Sequence, residues 1–139
     1  ISIGGAAGSS NATVSAAGGS IFFNNTTLGQ VTLSGASVAV PGALTCTTFT
    51  ATSNAQVITL TDSVTATNFY FGKAGYQSSL TSSVSGTQRT ITSSGAVAII
   101  GATLKDLNFT NRTYVTNCVN NGNNTNVVFN NNSGALALF

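Results

Sequence analysis

The sequence predicts an all-β fold. The form expected is a single β-sandwich or jelly-roll-like domain with an extended N-terminal arm, with a β-solenoid as the alternative. Three observations lead there. No stretch of helical length carries apolar residues every 3.6 positions. Short runs of Thr, Val, Ile, Phe and Tyr, broken by Gly, Ser and Asn, follow one another at roughly ten-residue spacing. No fixed repeat length stands out, and a missing repeat favours a sandwich over a stack of rungs.

The elements follow in chain order. Residues 1–19 are Gly, Ala and Ser with only Ile1, Ile3 and Val14 as larger apolar side chains. That stretch is too small-sided to build a core, so it reads as an assembly arm whose small side chains fit a tight groove. The domain spans 20–139. Its strands are expected at 20–23, 30–33, 37–40, 44–52, 56–61, 64–71, 76–82, 89–92, 96–100, 103–109, 113–118 and 125–129. Gly72-Lys73-Ala74-Gly75 reads as a hairpin loop, and Asn121-Gly122 as a type I′ turn, because both residues tolerate positive φ. Pro41 suits an edge or a turn. The tail Ala135-Leu136-Ala137-Leu138-Phe139 is apolar to its last residue and reads as a pairing strand.

Charge is the most unusual property. Asp62, Lys73, Arg89, Lys105, Asp106 and Arg112 are the only charged side chains, 4% of the chain, with a net charge of +2. An ordinary domain is about 25% charged. Scattered cations do not release counterions together, so nucleic acid is excluded as a partner. A nearly neutral surface tends to associate. It is kept in solution by burial against copies of itself or by covalent glycans. The longest strongly apolar run, Ala96 to Ile100, is too short to span a bilayer. The chain opens on Ile1 rather than Met, which fits a removed leader and an extracellular, cell-surface location.

The same composition argues against an enzyme. Without His there is no Ser-His-Asp or Cys-His constellation. Asp62 and Asp106 are the only carboxylate side chains, and each reads more simply as a turn or surface residue than as half of a hydrolytic pair. No metal and no cofactor are expected, since there is no Cys pair at ligand spacing and no phosphate-binding glycine loop. Cys46 and Cys118 are either two buried thiols or, in a secreted protein, a disulfide contributing roughly 4 kcal/mol through loop closure. The disulfide is the expectation adopted.

Asn-x-Ser/Thr sequons occur at Asn11, Asn24, Asn25, Asn108, Asn111, Asn123 and Asn131, and each is a glycosylation candidate. Thr-x-Thr triplets recur, as at 45–47 and 65–67, but without constant spacing, so they read as ordinary strand formers rather than as an ice-matching face. Tyr70, Tyr76 and Tyr114 are candidates for a sugar-binding platform.

An all-β core, a Gly/Ala/Ser arm over 1–19 and a surface almost free of charge together resemble secreted filament or pilus subunits assembled by donor-strand complementation. The segment 118–129 is also similar to closing segments of repetitive β-proteins from bacterial surfaces and phages. The pilus resemblance implies an extracellular structural subunit. A terminal strand of one copy would pair with a sheet of the next, giving a homopolymeric fibre. Lys73 or Lys105 beside an Asn and either Asp62 or Asp106 would resemble the isopeptide crosslinks of some bacterial pilins. The other functions considered are a carbohydrate- or ice-binding module and a phage fibre or capsid-decoration domain.

Overall fold

The computed structural model describes residues 2–3, 11–14, 22–23, 26–40 and 42–131. Among these residues there are strands and no helix. Near the start of the chain are β1 (Ser2–Ile3), β2 (Asn11–Val14) and β3 (Phe22–Phe23). Then come β4 (Thr26–Leu33), β5 (Ser37–Val40), β6 (Leu44–Ala51), β7 (Val57–Leu60) and β8 (Val64–Phe71). The chain continues through β9 (Ser78–Ser82), β10 (Arg89–Ser93), β11 (Val97–Ile99) and β12 (Ala102–Lys105). It closes with β13 (Leu107–Thr116), β14 (Val119–Asn120) and β15 (Thr125–Asn130).

Every strand pairing among the described residues is parallel. One sheet runs β15-β13-β10-β8-β6-β4-β2, with β11 also on β8, and a second runs β14-β12-β9-β7-β5. Consecutive strands alternate between the two sheets through most of the chain, so the backbone winds as a β-solenoid of about five turns. The sandwich or jelly-roll expectation is therefore wrong. The loops explain why the repeat is hidden. Leu44, Val64, Ile91 and Phe109 are successive members of one stack, at intervals of 20, 27 and 18 residues. Rungs of unequal length align because the corners absorb the excess.

Local chemistry sets each rung. In β6 and β8 alternation is strict at first, with Leu44 and Cys46, then Val64 and Ala66, buried. It slips by one residue at Thr47–Thr48 and Thr67–Asn68, where two neighbours both point away from the core. The ladder skips at the same place in both pairings, between Cys46 and Thr48 and between Ala66 and Asn68. Each strand bends there, giving the rung two straight segments on one side and a third in the other sheet. Beyond the bend, Phe49 and Phe69 lie in register, with ring centroids 4.7 Å apart and planes within 5°. Ile58, Leu80 and Leu104 stack from the opposite sheet, and all five side chains are fully buried.

The corners need particular backbones. Gly72 has φ of 82°, and a Cβ there would run into the Ile100 carbonyl oxygen. It starts a corner from β8 to β9, two strands in different sheets, so the expected hairpin at 72–75 is not one. Asn121-Gly122 likewise links β14 to β15 across a corner rather than closing a hairpin, and only Gly122 of the two has positive φ. Asp106, Asn117 and Asn123 also take positive φ at corners, which Asn and Asp tolerate better than most residues. The expected strand 103–109 is divided by Asp106 into β12 and β13, and β13 absorbs most of the strand expected at 113–118. Pro41 and the tail 135–139 lie outside the described residues.

The Asp106 corner is tied to its neighbours through the carboxylate. Asn123 Nδ2 donates to Oδ1 at 2.7 Å and the Gly86 N–H to Oδ2 at 3.1 Å. The hydrogen bond from Asn123 holds this carboxyl below the ordinary carboxylate range; burial opposes it, and the Gly86 N–H and the Lys105 charge add to the lowering. A lowered folded-state pKa gives stability that is present above the unfolded value, about 3.9, and is lost as pH falls through the folded value. Asp106→Asn is expected to lower the melting temperature at neutral pH and to flatten its decline below about pH 4. Thermal melts of both proteins across that range check this.

Candidate functional site

A solenoid exposes three kinds of surface: its flat sides, its corners and its two ends. The ends matter first, because a terminal rung leaves backbone donors and acceptors unpaired. Among the described residues, β15 pairs with β13 alone, through Asn108↔Thr125 and then Thr113↔Val127 to Thr116↔Asn130. Its other edge carries no partner strand among the described residues. Val127 and Phe129 pack against the core but stay only half-buried, and Val128 between them is also half-buried. No charged residue lies in β15. Among the described residues the short β14 likewise pairs with β12 alone, and Val119 within it is 51% exposed.

The opposite end holds the stretch expected to be a free arm. Ile3 lies in β1, opposite Phe23 of β3, and Val14 lies in β2, opposite Leu33 of β4. The described parts of 1–19 are thus paired within their own chain. Ile1 lies outside the described residues.

The cysteines do not form the expected disulfide. Cys46 and Cys118 are both free and buried. Cys46 stacks on Ala66 in β8, while Cys118 follows β13, its Sγ donating to the carbonyls of Thr116 and Ile99. From β6 through β8 and β10 to β13 is three steps of about 4.8 Å, beyond the Cα separation of roughly 7 Å that a disulfide spans. Burial pushes the Cys46 thiol up to about 12. Burial also raises Cys118, partly offset by hydrogen bonds from backbone groups.

The pilin-type crosslink is not assembled either. Lys73 Nζ donates to Asn54 Oδ1 at 2.9 Å, but both are exposed, and Asp62 instead accepts from the Ser63 N–H. Lys105 Nζ reaches Ser85 Oγ at 3.3 Å. No buried Lys–Asn–acid cluster occurs among the described residues. Nor does any group of three His, Cys, Asp or Glu side chains that would hold a metal ion. No helix among them is long and apolar enough to cross a membrane.

The sequons divide by what their amides already do. Asn123 Nδ2 is committed to Asp106, and Asn111 Nδ2 donates to the Ser93 carbonyl at 2.7 Å. Asn131 is exposed and Asn108 half-buried. Asn11 lies in β2, and Asn24 and Asn25 fall outside the described residues. Asn also serves the fold. Asn124 Nδ2 donates to the Leu104 carbonyl, Asn124 Oδ1 accepts from the Leu107 N–H, and Asn126 Nδ2 donates to the Phe109 carbonyl.

On the flat sides the solenoid aligns residues that seemed scattered. Thr27, Thr45, Thr65 and Thr92 form one column four rungs deep, pointing away from the core. The tyrosines do not form one platform. Tyr76 sits at the 72–77 corner with Lys73 Nζ 5.3 Å from its ring centroid. Tyr70 and Tyr114 belong to the main sheet. No family model, curated protein or solved structure matches this chain.

Proposed function

We propose that this protein is an extracellular structural subunit that assembles with copies of itself by strand addition, its neutral surface covered by neighbours and by glycans. The observation that carries the reading is the outer edge of β15, which ends its sheet among the described residues. Among the described residues that edge has no backbone partner, and it offers half-buried Val127 and Phe129 in line with the core and no charge to oppose a partner. The first rung of another copy fits that edge as one more rung, in parallel register. Such a head-to-tail contact propagates as a filament. The donor is then a whole terminal rung rather than a loose arm. Exposed sequons such as Asn131 suit the glycans.

The test places charge on the edge. Val127→Lys combined with Phe129→Lys is expected to abolish filaments in negative-stain images of the 139-residue chain while its circular dichroism keeps the β signature. Filaments of ordinary length from a folded double variant would refute β15 as the joining edge.

A second reading, a lattice-binding face for ice, is favoured by the four-rung Thr column. Its hydroxyls repeat at about 4.8 Å. An ice-recrystallisation assay separates the two. Activity in a monomeric preparation, lost on Thr65→Tyr, supports the second reading over the first.

A further inference from the structure

Where β10 ends and β11 begins, the main sheet opens into a cleft of about 260 Å³. Its origin is a change of side-chain size. The inward stack that holds Phe49 and Phe69 continues to Val97. The bridge Ile100↔Thr116 carries the register on to Thr113, which pairs with Val127. Replacing phenyl rings by Val and Thr leaves space. The β13 ladder also breaks between Asn108 and Thr113, which pushes Asn111 and Arg112 out over the opening. Ile91 and Phe109 line the cleft from the apolar side, and Ser93, Asn111, Arg112 and Tyr114 supply polar and aromatic walls. No carboxylate lines it.

Tyr114 is 57% exposed, with the Arg112 guanidinium carbon 5.7 Å from its ring centroid. Tyr70 pairs with Ala98, and stepping the Ile100↔Thr116 bridge back two residues places Ala98 beside Tyr114. Tyr70, Ala98 and Tyr114 thus form one outward column. Two phenol rings stand two rungs apart, roughly 9–10 Å, over a floor kept low by an exposed alanine.

We propose that this face binds an acidic oligosaccharide. Aromatic side chains spaced along a strip, with a small residue between them, suit the apolar faces of consecutive pyranose rings. Ser93 Oγ and Asn111 Nδ2 already donate to the carbonyls of Thr67 and Ser93, so what these side chains offer sugar hydroxyls is acceptor oxygen, Ser93 Oγ and Asn111 Oδ1. The one charged wall is a guanidinium, whose planar fork takes a carboxylate in a bidentate pair. Its position beside Tyr114 sets the carboxylated ring next to the stacked one. The inference does not depend on assembly: the strip lies on the side of the solenoid, and in a fibre it would recur once per subunit.

The probes are trigalacturonic acid and its methyl ester, titrated into the 139-residue chain by calorimetry and by amide NMR. The acid is expected to bind more tightly than the ester and to shift the amides of Asn111, Arg112 and Tyr114. Tyr114→Ala should weaken both ligands by about tenfold. Arg112→Gln should bring the acid down to the ester's affinity, and Ala98→Leu should block both by filling the floor. All three positions are exposed, so the variants are expected to keep the wild-type spectrum elsewhere. The proposal is overturned if neither ligand gives saturable binding. It is also overturned if acid and ester bind alike to the wild type, or if binding survives both Tyr114→Ala and Ala98→Leu.

Discussion

Phe69→Ala is expected to destabilise the protein by about 3–5 kcal/mol, the usual cost of removing a fully buried phenyl ring. The ring is 0% exposed and stacks on Phe49 in the rung before it, with centroids 4.7 Å apart. It lies in the middle of the ladder, so the cavity would open between two rungs that are both held by backbone hydrogen bonds and have little freedom to close in. Phe69→Leu, which keeps most of the volume, should cost much less. Urea unfolding followed by circular dichroism measures both. A loss below about 1 kcal/mol for the alanine variant would mean that the stack is not central to the core.

Gln56→Leu is expected to cost about 3 kcal/mol or more, although it makes a buried site more apolar. Gln56 is 0% exposed and holds a corner together. Its Nε2 donates to the carbonyls of Leu33 and Gly35, both at 2.9 Å, and its Oε1 accepts from the Ser53 N–H at 2.9 Å. These bonds join the turn after β4 to the turn after β6, one rung away. Leucine fills the space but leaves those backbone groups without the partner they have now, at about 1–3 kcal/mol for each buried group left unsatisfied. Gln56→Glu should be worse, because it faces carboxylate oxygen toward two carbonyls. Equal unfolding midpoints for wild type and Gln56→Leu would show that water replaces the clamp.

Most of the strands from β5 to β13 were legible because alternation is local, whereas β2 and β14 were not expected and β4 starts four residues before the expected 30–33. The span 64–71 reads as a strand from Val64, Ala66, Phe69 and Phe71 alone, and β8 occupies those residues. The solenoid was legible only as the alternative to a sandwich, because its regularity lies in the register between rungs. The stack Leu44, Val64, Ile91, Phe109 appears only once the 83–88 corner is allowed to hold extra residues. The same uneven corners hid the Thr column and the pairing of Tyr70 with Ala98. Gln56 carried no visible signal, since a lone glutamine between two Thr-rich runs looks like any solvent-facing residue. The abundance of Asn pointed to glycans, yet part of it serves positive-φ corners at Asn117 and Asn123 and side-chain bonds between rungs at Asn124. Cys46 and Cys118 suggested a bond only because a sequence does not reveal how many rungs lie between them. The terminal edge was partly legible: the charge-free segment 125–129 reads as a strand, but not as the strand that ends its sheet among the described residues.

Self-association of a nearly uncharged solenoid through its terminal rung is most directly tested by sedimentation velocity on the sugar-free chain over a wide concentration range. An open-ended series of sizes that grows with concentration, and that collapses to one small species in the Val127→Lys, Phe129→Lys protein, is the expected result. A single sharp boundary at monomer mass at the highest concentration would contradict it.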